Sequence, residues 1–286
     1  MAAKFLCLFF VVTFSWGFVG FSAAIGNSSV FKYVSEMGNF SDDMLNLDTL
    51  RKILVREEDT IIFNLIERAK YPMNSPLYDE RPGLSGSLFE FFVKESEAVQ
   101  AKVGRYSSAE ENAFFPDNLP PPLLSPGDSQ QVLHPRGASI NINEQIMNMY
   151  HKQLLPLITS DGDDGSYAIT AARDLDCLQA LSKRIHLGKF VAEIKFRESP
   201  ENYTRAIRVQ DKDALMKLLT FESVEEMIKK RVEKKAMVFG QDVDLKENDD
   251  VGKYKVNPSV VSRLYGEWVI PLTKFVEVEY LLCRLD

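Results

Sequence analysis

The sequence predicts an all-α protein, a bundle of long helices, on three observations. Apolar residues recur at helical spacing over several long stretches, turns rich in Gly, Pro, Ser and Asp separate those stretches, and no repeated period-two runs bounded by turns occur. No internal repeat of fixed period is present. With 286 residues and 45% hydrophobic content the chain can bury a large core, as one big domain or two small ones.

The first helix is read from LDTLRKILVREEDTIIFNLIERA (47–69), where Leu47, Leu50, Leu54, Ile61 and Leu65 form one stripe and Asp48 is the expected cap. Residues 70–87 form a loop, and SLFEFFVKESEAVQAKVGRY restores a helical pattern. Residues 107–139, with LPPPLLSP at their centre, are too long for an ordinary connection. They are either a linker or a loop wrapped over the helical body, and Phe114 with Phe115 favours the packed loop. Helical pattern resumes in INEQIMNMYHKQLLPLI, the turn TSDGDDGSY follows, and a helical run covers 170–197. Two further helices are expected in DKDALMKLLT and SVEEMIKKRVEKKAMVFGQ. An acidic loop, DLKENDDVGK, precedes a last helix from about Pro258 to Leu285, which Pro271 is expected to bend.

At the N-terminus, Lys4, the apolar run Phe5–Phe21 and the small residues Ser22 and Ala24 read as a secretory signal peptide over 1–24. An uncleaved membrane anchor is the alternative. Residues 25–44 then form a linker and 45–286 a single helical domain. Glycosylation sequons at Asn27, Asn39 and Asn202 suit the secretory route. The cysteines point to the cytosol instead: beyond residue 24 only Cys177 and Cys283 remain, so no disulfide framework exists.

Several functions are excluded. A formal charge of −7 argues against a general nucleic-acid binder. His134, His151 and His186 are the only histidines and cluster with no cysteines, which argues against a zinc site or a Cys/His nucleophile pair. No glycine-rich phosphate loop follows a strand. Any anion must therefore be gripped locally.

One place to grip it is KRIHLGKFVAEIKF (183–196). About three helical turns separate Arg184 from Lys195, so Arg184, Gly188, Val191 and Lys195 share a stripe beside the apolar Ile185, Ala192 and Phe196. The stripe is either a pair of cations snorkelling from a core edge or a site with space over Gly188 for a small anion. Other polar residues lie on apolar faces: Arg51 in the first helix, Glu225 in the first turn of its helix, and Thr273 with Glu277 four residues apart. Glu277 and Glu279 flank Val278, so at most one of them faces inward. Three cations, two carboxyl groups and no nucleophile suit holding and polarising an anion more than covalent attack.

The runs SKRIHLGKFVAEIKF, REEDTIIFNLIERA, FFPD, DGDDGSY and IPLTKFVEVEYLLCRLD, in this order, resemble the eukaryotic all-helical (AroQ-class) chorismate mutases, most of all the plant enzymes. The resemblance covers roughly 45–286. It implies a cofactor-free homodimer that rearranges chorismate to prephenate for phenylalanine and tyrosine synthesis, with the active site inside each bundle. It further implies that Arg51 and Arg184 hold the two substrate carboxylates, and that Lys195 and a protonated Glu277 flank the ether oxygen. Glu225 would lie near the substrate hydroxyl and Thr273 near a carboxylate. Phe221 stands where the yeast enzyme has an asparagine; a backbone contact would survive that change and a side-chain one would not. Regulated members bind tryptophan and tyrosine with an arginine-bearing segment and a Gly-Ser pair. Here Arg105 is kept, but Ala168 and Ile169 stand in place of the pair, so the expected enzyme resembles the unregulated plant isoform. The competing reading is a secreted helical interaction protein that keeps the fold without the activity.

Overall fold

The computed structural model describes residues 46–124, 131–241 and 254–286, all within one compact unit, Gly38–Asp286. The expected signal peptide, the linker and the sequons at Asn27 and Asn39 lie outside the described residues. Among the described residues all long elements are helices, and the only strand-like feature is an isolated bridge between Glu80 and Ser87. No described helix is long and apolar enough to cross a membrane.

Helix α1 (Leu47–Arg68) buries Leu50, Ile61, Ile62, Leu65 and Ile66 and packs along α4 (Tyr167–His186). Its cap is Asn46, not Asp48: the Asn46 side chain accepts the Thr49 N–H at 2.8 Å, while Asp48 already sits in the first turn. Helix α2 (Leu88–Lys102) opens with a capping box, in which Ser87 and Glu90 satisfy each other's backbone N–H.

The described parts of the proline-rich stretch are tied to the helical body near both ends, as in a packed loop, while Leu123 and Leu124 are exposed. Glu97, buried in α2, accepts the N–H groups of Phe114 and Phe115 at 2.8 and 3.0 Å. Farther along, the buried Lys189 donates to Asn112 Oδ1 and to the Ala138 carbonyl at 2.9 and 3.0 Å, and Asn143 donates to the Asn112 carbonyl. Residues 125–130 of this stretch lie outside the described residues.

Two prolines shape the helices that carry them. Helix α3 (Asn143–Met149) widens into a π-turn, Tyr150–Leu154, just before Leu155–Pro156. In the same way α9 (Pro258–Leu264) passes through the π-turn Tyr265–Val269 into α10 (Ile270–Leu282), which holds Pro271. A proline inside a helix lacks the N–H for the i−4 carbonyl, and a wider turn absorbs that lost bond. The expected bend at Pro271 therefore takes the form of a π-turn.

The helical run 170–197 divides at Leu187 into α4 and α5 (Gly188–Glu198). The helix α6 (Pro200–Arg208) is not anticipated by the sequence reading; it buries Tyr203, Ala206 and Ile207, a single short stripe in a charged segment. Helices α7 (Lys212–Leu219) and α8 (Glu222–Phe239) lie where expected. Ion pairs fasten α8 to α1, Arg231 meeting both oxygens of the buried Glu58 at 2.6 and 2.9 Å and Lys235 bridging Glu58 and Asp59.

The apolar interior forms two clusters. One gathers α1–α4 and α8–α10 around Leu65, Phe89, Leu178, Tyr265 and Val276. The other gathers α5–α7 and the far part of α10 around Phe190, Ile207, Leu215, Val278 and Leu281. Helix α10 contributes to both, and α5 lies directly on it. At Gly188 the approach is so close that a Cβ would stand 2.8 Å from the Thr273 carbonyl oxygen. The space over Gly188 that the sequence reading reserved for an anion is thus filled by the α10 backbone.

Gly188→Ala must therefore displace a helix, and is expected to destabilise the protein by about 1–3 kcal/mol despite alanine's better helix propensity; a urea melt beside wild type reads the difference.

Candidate active site

Where α4 ends, α5 begins and α10 passes, four of the expected site residues meet. Arg184, in the last turn of α4, is only 4% exposed, which rules out the snorkelling alternative. Its Nη1 lies 3.4 Å from Thr273 Oγ1, and its Nε is buried without a partner. Among the described residues Arg184 makes no ion pair. Thr273 spends its own hydroxyl proton on the Val269 carbonyl, 2.6 Å away, so its oxygen is turned to receive the guanidinium.

Lys195 reaches Glu277 across the α5–α10 contact, Nζ to Oε2 at 3.2 Å. Side chains on a helix lean toward its N-terminus, which carries the Lys195 ammonium back to the level of Glu277. Glu277 is 5% exposed, while Glu279 points outward to Lys212. That resolves which of the two faces in. Burial pushes the Glu277 carboxyl above its ordinary range, and the Lys195 and Arg184 cations pull it back only in part.

The remaining residues sit around this group or away from it. Glu225 pairs with Lys274 of α10 at 2.8 Å, which also donates to Thr220 Oγ1, so an α10 cation rather than the helix end alone holds the carboxylate. Phe221 is the residue that precedes α8, exposed at the rim, with Lys195 Nζ 5.4 Å from its ring centroid. Arg51 is not brought to the group: its side chain is 67% exposed and pairs with Asp48 at 3.0 Å.

Two buried groups beside Arg184 were missed by the sequence reading. Glu57 of α1 is buried, and burial raises its carboxyl pKa against the opposing pull of Lys183 and Arg184. Its signal was present, since Glu57 falls between Leu54 and Ile61 on the apolar stripe of α1. Tyr265, in the second π-turn, has a buried hydroxyl with no partner, and Arg184 is the first of its charged neighbours. No spacing in the sequence marks it.

The residues of the expected effector site do not meet within one chain. Arg105 is engaged by Glu111, Gln179 and Gln100, at 2.9, 2.6 and 3.3 Å. Gln179 lies about three turns along α4 from Ala168 and Ile169, which open that helix. Ala168 instead lines an open apolar groove of about 500 Å³ with Leu88, Phe91, Phe92 and Val99 of α2. Among the described residues no group of His, Cys, Asp or Glu is placed to hold a metal ion.

A sequence profile described as chorismate mutase type II matches residues 167–278, the segment bearing Arg184, Lys195, Glu225, Thr273 and Glu277. Chorismate mutase 2 of Petunia hybrida is 60% identical over 250 residues, which cover 86% of this chain and 95% of that protein. The chain belongs to the chorismate mutase type II family. A second relative, the cytosolic chorismate mutase 2 of Zea mays, is 53% identical over 85% of this chain and 98% of its own length. Among solved structures, AtCM1 with tyrosine bound in its allosteric site superposes with a TM-score of 0.77, at 52% identity over 86% of this chain and 99% of that one. The protein is thus a chorismate mutase of the all-helical plant type, an isomerase that takes chorismate to prephenate.

Proposed function

We propose that chorismate binds at the junction of α4, α5 and α10 and rearranges there without covalent attack. The observation that carries this reading is Arg184: a buried guanidinium that, among the described residues, has an unpartnered Nε and no ion pair, set beside the Lys195–Glu277 pair. Burying a cation without a carboxylate is costly, and a site that receives an anionic substrate repays it on binding.

In this mechanism Arg184, assisted by Thr273, holds one substrate carboxylate. Arg51 releases Asp48 and swings over the other, and Glu225 takes the hydroxyl. Holding both carboxylates confines a flexible diene to the chair in which the new C–C bond forms as the C–O bond breaks. Negative charge grows on the ether oxygen as that bond breaks. Lys195 and the protonated Glu277 part from their direct contact and donate to it from opposite sides. Phe221 leaves only backbone groups to contact substrate at its position. The reaction moves no proton and no electron to or from the protein, so no cofactor enters.

The finer readings rest on narrower support. The proposed assembly is a homodimer joined through the groove of α2 and α4, where Phe91, Val99 and Ile169 expose apolar surface. Insensitivity to aromatic amino acids is supported by the prior engagement of Arg105 and by Ile169, which offers bulk where a hydroxyl is expected. The cytosol is the proposed compartment, supported by the cytosolic maize relative and by the free Cys177 and Cys283. Nothing in the comparisons supports the secretory reading of residues 1–24.

Loss of chorismate absorbance on mixing with purified protein tests the activity directly. Lys195→Ala is expected to lower kcat by about 10² or more, the cost of one transition-state donor; near-normal turnover removes Lys195 from the mechanism. Because Glu277 donates only when protonated, activity is present below its raised pKa and falls as pH rises through it. Glu277→Gln, which keeps a donor that does not titrate, is expected to flatten that alkaline limb, and an unchanged pH profile argues against the assignment. Millimolar tryptophan or tyrosine is expected to leave the rate unaltered, whereas a several-fold response means the effector site works.

A further inference from the structure

Lys195 and Glu277 sit on different helices, so their 3.2 Å contact is only as well defined as the register of α5 on α10. A slip of one residue along a helix moves a side chain by about 1.5 Å, more than a hydrogen bond tolerates. One anchor of that register is the contact of Gly188 with the Thr273 backbone. A single point of contact lets one helix pivot on the other; a second, some distance away, is needed to fix both angle and register.

A second anchor lies on the same two helices. Glu193, two residues before Lys195, is buried, and its carboxylate accepts from three side chains. The Tyr280 hydroxyl donates to Oε2 at 2.6 Å, Arg284 donates to both oxygens at 2.6 and 3.1 Å, and Arg197 donates to Oε1. Tyr280 lies three residues after Glu277. Its hydroxyl oxygen also accepts the His134 N–H at 2.9 Å, and its ring lies against Gly137, where a Cβ would clash with it. The phenol is thus held by groups other than Glu193 as well. Arg197 in turn donates to the Val132 carbonyl at 2.9 Å. A buried carboxylate met by directional donors tolerates far less sliding than an apolar contact of equal area.

We propose that Glu193 and Tyr280 are positioning residues for the rearrangement: their hydrogen bond locks α5 on α10 and so holds Lys195 opposite Glu277, where the pair, in direct contact at 3.2 Å, parts around the ether oxygen by side-chain motion alone. The proposal rests on the reading of the site given above and adds to it the device that sets its geometry. Glu193 and Tyr280 act through the catalytic pair and not on substrate.

Tyr280→Phe removes one oxygen and leaves the ring packing in place. It is expected to lower kcat about tenfold with KM changed less than twofold, since a misplacement of under 1 Å weakens transition-state donation more than ground-state binding. The alkaline limb of the pH–rate profile is expected to move to higher pH, because a loosened Lys195 opposes the burial of Glu277 less. In a Lys195→Ala background the same change is expected to cost little further kcat, as the group it positions is gone. Unchanged kcat and pH limb with a lowered Tm overturn the proposal, and so does a full tenfold loss in the Lys195→Ala background. Should Tyr280→Phe not fold, Arg284→Gln at the solvent edge of the same cluster serves for the same measurements. Near-normal turnover of Lys195→Ala itself is a separate result, which overturns the site reading and this proposal with it.

Discussion

Helix α5 meets α10 with nothing but a glycine hydrogen between the Gly188 backbone and the Thr273 carbonyl, and the catalytic half of the molecule is arranged around that contact. It places Glu277 beside Gly188, deep enough that burial keeps its carboxyl inclined to hold a proton. It brings Lys195 within hydrogen-bond reach of Glu277 and sets Thr273 under the Arg184 guanidinium. A side chain at 188 would push α10 away and loosen all three relations together. The π-turn Tyr265–Val269 leads directly into α10, which carries Pro271 and contributes to both apolar clusters.

The buried charges fall into two kinds, and the contrast is informative. Arg68 is saturated, donating to Asp174, Tyr78 and three backbone carbonyls, while Asp174 also accepts from the Tyr78 and Tyr150 hydroxyls. Glu58, Glu97 and Glu193 are likewise met by directional donors. Such groups tie segments together at definite positions, because each partner must stay in place for the burial to be tolerable. Arg184 is of the other kind. It is as deeply buried as these, yet its best partner is a hydroxyl at 3.4 Å and one of its nitrogens has none. Among the described residues most large buried ions are met by directional donors, and a buried guanidinium that is not marks a place where the partner comes from outside.

Much of this was legible beforehand, for identifiable reasons. The long helices show because a single stripe repeated over five or six turns, as in Leu50, Ile61 and Leu65, has no other reading. Lys195, Glu277, Arg184 and Thr273 stand out as polar residues on apolar faces, and Glu57 stands out in the same way but was passed over. Other features left no local trace. The short α6 carries one turn of pattern among charges, and the cap of α1 lies one residue outside the stripe, at Asn46. The break at Leu187 does carry a local mark, Gly188 just past the end of α4, which the sequence reading took as space for an anion instead.

The sequence by itself determined the helical class, the order of the elements and the family, because periodicity, turn chemistry and collinear motifs are properties of neighbours along the chain. Tertiary structure alone decided which of those residues act together. It turned Glu277 inward and Glu279 outward, paired Glu225 with Lys274, filled the space over Gly188 with the α10 backbone and left Arg51 on Asp48. Each of these is a relation between helices remote in sequence. Its outcome depends on separations of a few tenths of an ångström and on which charges can be buried together, and no local pattern encodes either.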